Sequence, residues 1–167
     1  MTADSKRMLI LLRHAKSDWP EDVPDHDRPL AKRGRHDAPE VGGWLRGHGY
    51  LPDTVVCSTA LRTRQTWDLV AAKLRADPAV TFEPRAYGAS AHTLLYLVGE
   101  LRPATRTALL IGHNPGISEL ASALAEAPLS FPTAAVAVLE FDGDWSELAP
   151  GQAYLTDFTT PANLHQE

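Results

Sequence analysis

The chain has 167 residues, with 21 acidic against 16 basic side chains and a formal charge of −5, and a body of that size builds its own core and reads as one domain over 1–167. The acidic balance argues against a general nucleic-acid or anionic-membrane surface, and no stretch approaches the roughly 20 apolar residues of a membrane span. Cys57 is the one cysteine, so no intramolecular disulfide forms, and with no secretory pattern at the start the cytoplasm is the default compartment.

Met8 to Leu12 is an apolar run too short for a buried helix; it reads as a first strand that stops at Arg13-His14. Lys16 to Leu30, polar and carrying three prolines, reads as an ordered surface loop or a flap. Gly34 to Gly47 reads as a helix with Ala38, Val41 and Leu45 on one face. Pro39 asks either for a start near Asp37, with Asp37 and Glu40 as a capping box, or for an earlier start and a kink. Thr54 to Cys57 is a second strand. Ser58 or Thr59 can cap the helix that follows, whose apolar positions are Trp67, Val70, Ala71 and Leu74.

Val80 to Phe82 reads as a brief edge strand, and Ser90 opens a helix that buries Leu94, Leu97, Val98 and Leu101. Arg106 to Ile111 is a strand running into Gly112-His113. Asn114 as N-cap and Pro115 at the first helical position then start a helix with Ile117, Leu120, Ala121 and Leu124 inward. Ala134 to Phe141 and Gln152 to Phe158 read as a late hairpin, and PANLHQE as a tail. This order predicts a three-layer α/β/α sandwich around a mainly parallel sheet with an antiparallel edge.

Three strand-to-helix junctions carry cationic or ionisable groups: Arg13 and His14, then Arg62, then His113. In open α/β sheets ligands bind beyond the carboxyl ends of the strands, where these junctions lie. Two arginines can grip phosphoryl oxygens with planar forks, and a helix start beside His113 favours an anion. A neutral imidazole is a competent nucleophile, and phosphoryl transfer asks for positioning plus positive charge around the equatorial oxygens. Singly, each junction reads as well as a structural feature; together they point to phosphoryl chemistry on a histidine.

At these residues the sequence resembles the histidine phosphatase superfamily, the phosphoglycerate-mutase-like fold. Arg13-His14-Ala15 matches its first signature, Ser58, Arg62, Gln65 and Thr66 its second, and Gly112-His113 its third. The compact length, LLRHAKSDW, DHDRPLAKRG and FPTAAVAVLEF look most like the SixA-type phosphohistidine phosphatases. The resemblance implies that His14 attacks phosphorus and carries the phosphoryl group, with Arg13, Arg62 and His113 completing the pocket. It implies no metal and no cofactor, and a phosphorylated substrate, a phosphohistidine-bearing protein, as partner.

The proton donor of larger relatives is not matched cleanly. Glu83 stands one position too far from Tyr87-Gly88, and Asp18 in the loop is a second candidate; a solvated charge and a loop cap are the alternative readings. An imidazole, whose conjugate acid has a pKa of about 6.5, leaves more easily than an alkoxide, so a weak donor favours phosphohistidine over a phosphate monoester. Ser17 and Arg28 are candidate substrate-binding residues at the rim. Asp25, His26 and Asp27 look like metal ligands but are adjacent loop residues that rarely converge on one ion. His36, His48, His92 and His165 read as surface or helix-end residues. Rival functions are a phosphatase or mutase acting on a small ester, and a non-catalytic phosphate-binding module; the oligomeric state is not readable.

Overall fold

Leu9, Ile10, Leu11 and Leu12 are all fully buried, which consecutive strand residues achieve only when both faces of the sheet are covered. The computed structural model describes residues 6–165. There these four residues lie in β1 (Lys6–Arg13). With β2 (Thr54–Ser58), β3 (Ala79–Glu83), β4 (Thr107–Gly112), β5 (Val136–Asp142) and β6 (Tyr154–Thr159), β1 makes a sheet in the order β3-β2-β4-β1-β5-β6. Pairing is parallel from β3 through β1, and β5 runs antiparallel to both of its neighbours.

The two-residue period of β1 sorts its side chains onto two helical layers. Ile10 and Leu12 pack with Val41 and Leu45 of α1 (Lys32–Gly47) and with Val70 and Leu74 of α2 (Leu61–Leu74). Leu9 and Leu11 pack with Leu94 and Leu97 of α3 (Ala91–Gly99) and with Ile117 and Leu120 of α4 (Gly116–Ala125). This is the expected three-layer α/β/α sandwich, mainly parallel with an antiparallel edge. Each such leucine contributes about 1.5–3 kcal/mol by leaving water. Cys57 faces the first layer, fully buried, and that burial pushes its thiol pKa up to about 12. Among the described residues, no helix is long and apolar enough to cross a membrane.

Several boundaries differ from the sequence reading, each for a local reason. Helix α1 starts at Lys32 and runs through Pro39, which forfeits one hydrogen bond to the carbonyl four residues back; Asp37 therefore sits buried inside the helix and caps nothing. Ala60, not Ser58 or Thr59, stands at the start of α2, and Ser58 Oγ instead accepts the Ala60 N–H at 3.3 Å. Pro115, not Asn114, stands at the start of α4, which begins one residue later than expected, at Gly116; the Asn114 Nδ2 donates instead to the Phe131 carbonyl at 2.9 Å. The expected tail contains a short helix, α5 (Pro161–Leu164), whose N-cap Thr160 accepts from the Asn163 N–H. Residues 166 and 167 of that tail lie outside the described residues.

Two glycines let neighbouring segments approach closely. A Cβ at Gly34 would lie 2.1 Å from the Lys16 carbonyl oxygen, and one at Gly116 would lie 2.2 Å from that of Ala89. The first contact seats α1 against the loop after His14, where Ala31 N–H also donates to Lys16 O at 2.9 Å.

Candidate active site

Strand register places the two histidines. Arg13 on β1 pairs with Gly112 on β4, so the next residue of each strand, His14 and His113, leaves the sheet at the same level. Their ring centroids are 5.2 Å apart, and the His14 N–H donates to Gly112 O at 3.1 Å. Strand β2 ends beside β4, and its last residue, Ser58, brings Oγ to 2.8 Å from His113 Nε2.

The hydrogen bond at His14 fixes its tautomer. Its Nδ1 lies 2.8 Å from the Ala15 carbonyl oxygen; a carbonyl only accepts, so Nδ1 carries the proton and Nε2 the lone pair. Burial lowers the His14 pKa to about 3, with His113, Arg62 and Arg13 adding to the depression and the Ala15 bond opposing it. His113 is lowered to about 4, by burial first and the Arg62 charge second. Both rings are therefore neutral at neutral pH, and His14 presents an unprotonated Nε2 with its ring orientation set from behind.

The loop around His14 is held by the residues of the second signature. Ala15 N–H donates to Thr66 Oγ1 at 3.0 Å, and Leu30 N–H to Gln65 Oε1 at 2.8 Å. Helix α2 thus fixes both ends of the segment that the sequence marked as an ordered surface loop or a flap. Ser17 and Leu30 close its base as an isolated antiparallel bridge.

Three arginines bring positive charge to the same volume. Arg13 donates to Phe131 O at 2.9 Å. Arg62, 6% exposed, donates to the backbone oxygen of Asp25 at 2.7 Å and to its Oδ2 at 3.1 Å. Arg28, equally buried, reaches Asp18 O at 2.9 Å, Asp25 Oδ1 at 3.0 Å and Ser17 Oγ at 2.6 Å, and its guanidinium lies 3.3 Å over the Trp19 ring. Arg13 Nε, Arg62 Nε and His113 Nδ1 are buried without a hydrogen-bond partner, although buried polar groups are normally paired.

These groups line a cavity of about 260 Å³ formed by Arg13, His14, Lys16, Ser17, Trp19, Arg28, Arg62, His113, Asn114 and Thr133. No carboxylate or thiol is among them, so the donor set suits an anion and repels a cation. Arg13, His14, Arg62, His113, Ser17 and Arg28 are all brought together here.

Glu83 and Asp18 are not. The Glu83 carboxylate takes Arg85 Nη2 and the Arg85 N–H, both at 2.8 Å, which holds its pKa low, and it lines a separate groove. Asp18 has an exposed side chain and meets the site only through its backbone oxygen. Neither is placed to hand a proton to a group bound beside His14.

Asp25 is the residue that sequence reasoning undervalued. Its carboxylate takes Arg62, Arg28 and the Tyr87 hydroxyl, the last at 2.5 Å. The Tyr87 hydrogen bond, followed by those of Arg28 and Arg62, lowers its pKa well below the usual carboxylate range. The Asp25–Arg28 spacing in DHDR was the available signal, since a 3-10 turn over Asp25–Asp27 puts residues three apart on one side. Tyr87 was missed as well: its ring meets His113 edge-on at 5.6 Å and His26 at 4.8 Å.

Comparison with known proteins gives a consistent result. The profile of the histidine phosphatase superfamily (branch 1) matches residues 9–86. An uncharacterized protein of Mycobacterium tuberculosis is 39% identical over 161 residues, covering 90% of this chain and 99% of that protein. Among solved structures, a candidate SixA phosphohistidine phosphatase from Nakamurella multipartitia is 35% identical with a TM-score of 0.81, over 93% of this chain and 96% of that one. The protein histidine phosphatase SixA complexed with tungstate is 25% identical with a TM-score of 0.76, over 94% and 99%.

Proposed function

This chain belongs to the histidine phosphatase superfamily and is similar to its SixA-type members, and from that premise we propose that it is a phosphatase that removes the phosphoryl group from phosphohistidine on a protein. The observation that carries the reading is His14 Nε2, unprotonated beside His113 and ringed by Arg13 and Arg62. His14 Nε2 attacks phosphorus as the bond from phosphorus to the substrate imidazole breaks. The electron pair returns to that imidazole, which leaves neutral because its other ring nitrogen already carries a proton. Arg13, Arg62 and His113 hold the equatorial oxygens, where preorganised donors act most strongly. Water then displaces the phosphoryl group from His14 and releases phosphate. The charge needed comes from the arginines, and no step calls for a metal or cofactor.

Two features favour phosphohistidine over an ester. The cavity holds no carboxylic acid to protonate a leaving alkoxide, and Asp25 behind it is held ionised by Tyr87 and two arginines; an imidazole leaves without such help far more readily than an alkoxide does. The hollow of about 260 Å³ also falls below the roughly 300–1,000 Å³ of pockets that enclose whole small molecules, and suits one phosphoryl group presented on a side chain. Ser17 and Arg28, joined at 2.6 Å, form the wall that such a side chain would pass. The partner would be a cytoplasmic phosphoprotein.

The test is a comparison of rates on a phosphohistidine peptide and on an aryl phosphate, with trapping of an acid-labile phosphoenzyme at His14. Faster turnover of the peptide is expected. Much faster turnover of the ester would overturn the substrate, and binding of phosphate with neither turnover nor phosphoenzyme would make the protein a docking module.

A further inference from the structure

A second pair of histidines converges elsewhere, on residues that the catalytic chemistry does not use. His36, Asp37 and Glu40 lie in consecutive turns of α1, and His165 directly follows α5. None lines the catalytic cavity. One donor atom from each of the four lies within 4.8 Å of the other three. We propose that His36, Asp37, Glu40 and His165 form a site for a divalent transition-metal cation of the zinc class, which fastens α5 to α1.

The distances suit a shared ion. Bonds of about 2.0–2.1 Å in a tetrahedral zinc site place ligand atoms roughly 3.4 Å apart. Here His36 Nδ1 lies 3.1 Å from Glu40 Oε1 and 3.7 Å from Asp37 Oδ1, while His165 Nε2 lies 3.3 Å and 3.4 Å from the same two oxygens. Each imidazole nitrogen therefore faces both carboxylates at the spacing of ligands around one centre.

Asp37 supplies the independent sign. It is completely buried, and its Oδ1, turned toward the two imidazoles, has no hydrogen-bond partner. A buried carboxylate oxygen left in that condition is costly, and a cation among the four groups removes the cost. The other oxygen, Oδ2, accepts from Arg33 Nε at 3.3 Å, the kind of outer contact that fixes the orientation of a ligating carboxylate. Two imidazoles with two carboxylates suit zinc and its neighbours; calcium and magnesium favour oxygen ligands throughout.

Zinc titration of the chelator-treated full chain by calorimetry tests the site, with cobalt absorption reporting coordination geometry. Wild type should bind one equivalent, show tetrahedral cobalt bands and gain thermal stability with zinc but not with magnesium. In the double variant His36→Ala/His165→Ala, whose side chains are largely exposed, affinity should fall about 100-fold or more and the thermal gain should vanish. The His14→Ala protein should keep the zinc, separating this site from the catalytic histidines. Zinc binding undiminished in the double variant, or none in wild type at micromolar concentrations, would overturn the proposal.

Discussion

The molecule holds two pairs of converging histidines, and their surroundings are opposites. His14 and His113 meet among Arg13, Arg28 and Arg62, with no carboxylate on the cavity wall. His36 and His165 meet across Asp37 and Glu40, with rings 5.6 Å apart. The same side chain is thus set for an anion in one place and for a cation in the other. Imidazole chemistry is written by the charges around the ring, and a histidine pair alone does not announce a function.

The comparison can be broken first at its nucleophile. His14→Ala should lower phosphohistidine turnover by about 10³-fold or more and abolish the phosphoenzyme, since a covalent nucleophile has no substitute; steady-state rates and acid-labile phosphate measure both. Arg62→Ala follows, with a loss of about 10²–10³ in kcat, the scale seen when one preorganised donor is removed. Asp25→Asn should be milder, about tenfold and mainly in KM, because it loosens Arg28 and Arg62 without touching the substrate; a change confined to kcat would refute that positioning role.

Acid sharpens the contrast further. A histidine with a folded-state pKa of about 3 and an unfolded value near 6.5 binds its proton more readily in the unfolded chain, so stability is complete above about pH 6.5 and declines as pH falls toward 3. His113, at about 4, acts in the same direction. Urea midpoints followed from pH 7 to 4 should therefore fall more steeply for wild type than for His14→Ala. On the other side, His36→Ala/His165→Ala should leave turnover within about twofold, because neither side chain reaches the cavity.

Much of the fold was legible because its signal was local. LILL running into Arg13-His14, and ALLI running into Gly112-His113, are short apolar runs that only a doubly covered strand explains, and their shared edge follows from parallel topology. Arg13, His14 and His113 were found this way, and Arg62 from the junction that follows the strand TVVCS. What stayed hidden depends on distant chain segments meeting. Asp25 gains its partners from α2 and from Tyr87, 62 positions away, and nothing in a loop's composition reports that. His36 and His165 are surface and helix-end residues as read, but their convergence stayed hidden because α5 looked like a tail. Asp37 looked like a cap because Pro39 suggested a helix start, whereas α1 tolerates the proline and carries the aspartate inside.

Cys57 bears on how the activity would fare under oxidative stress. Catalysts that rely on a thiolate lose activity when peroxide reaches the sulfur; in the proposed mechanism the reacting atom is nitrogen, and the sole sulfhydryl is enclosed beneath α1 and α2 with its pKa raised to about 12. Peroxide or iodoacetamide, applied to the native protein at neutral pH, should leave its rate unchanged, so that dephosphorylation could continue when sulfur-dependent enzymes have stopped.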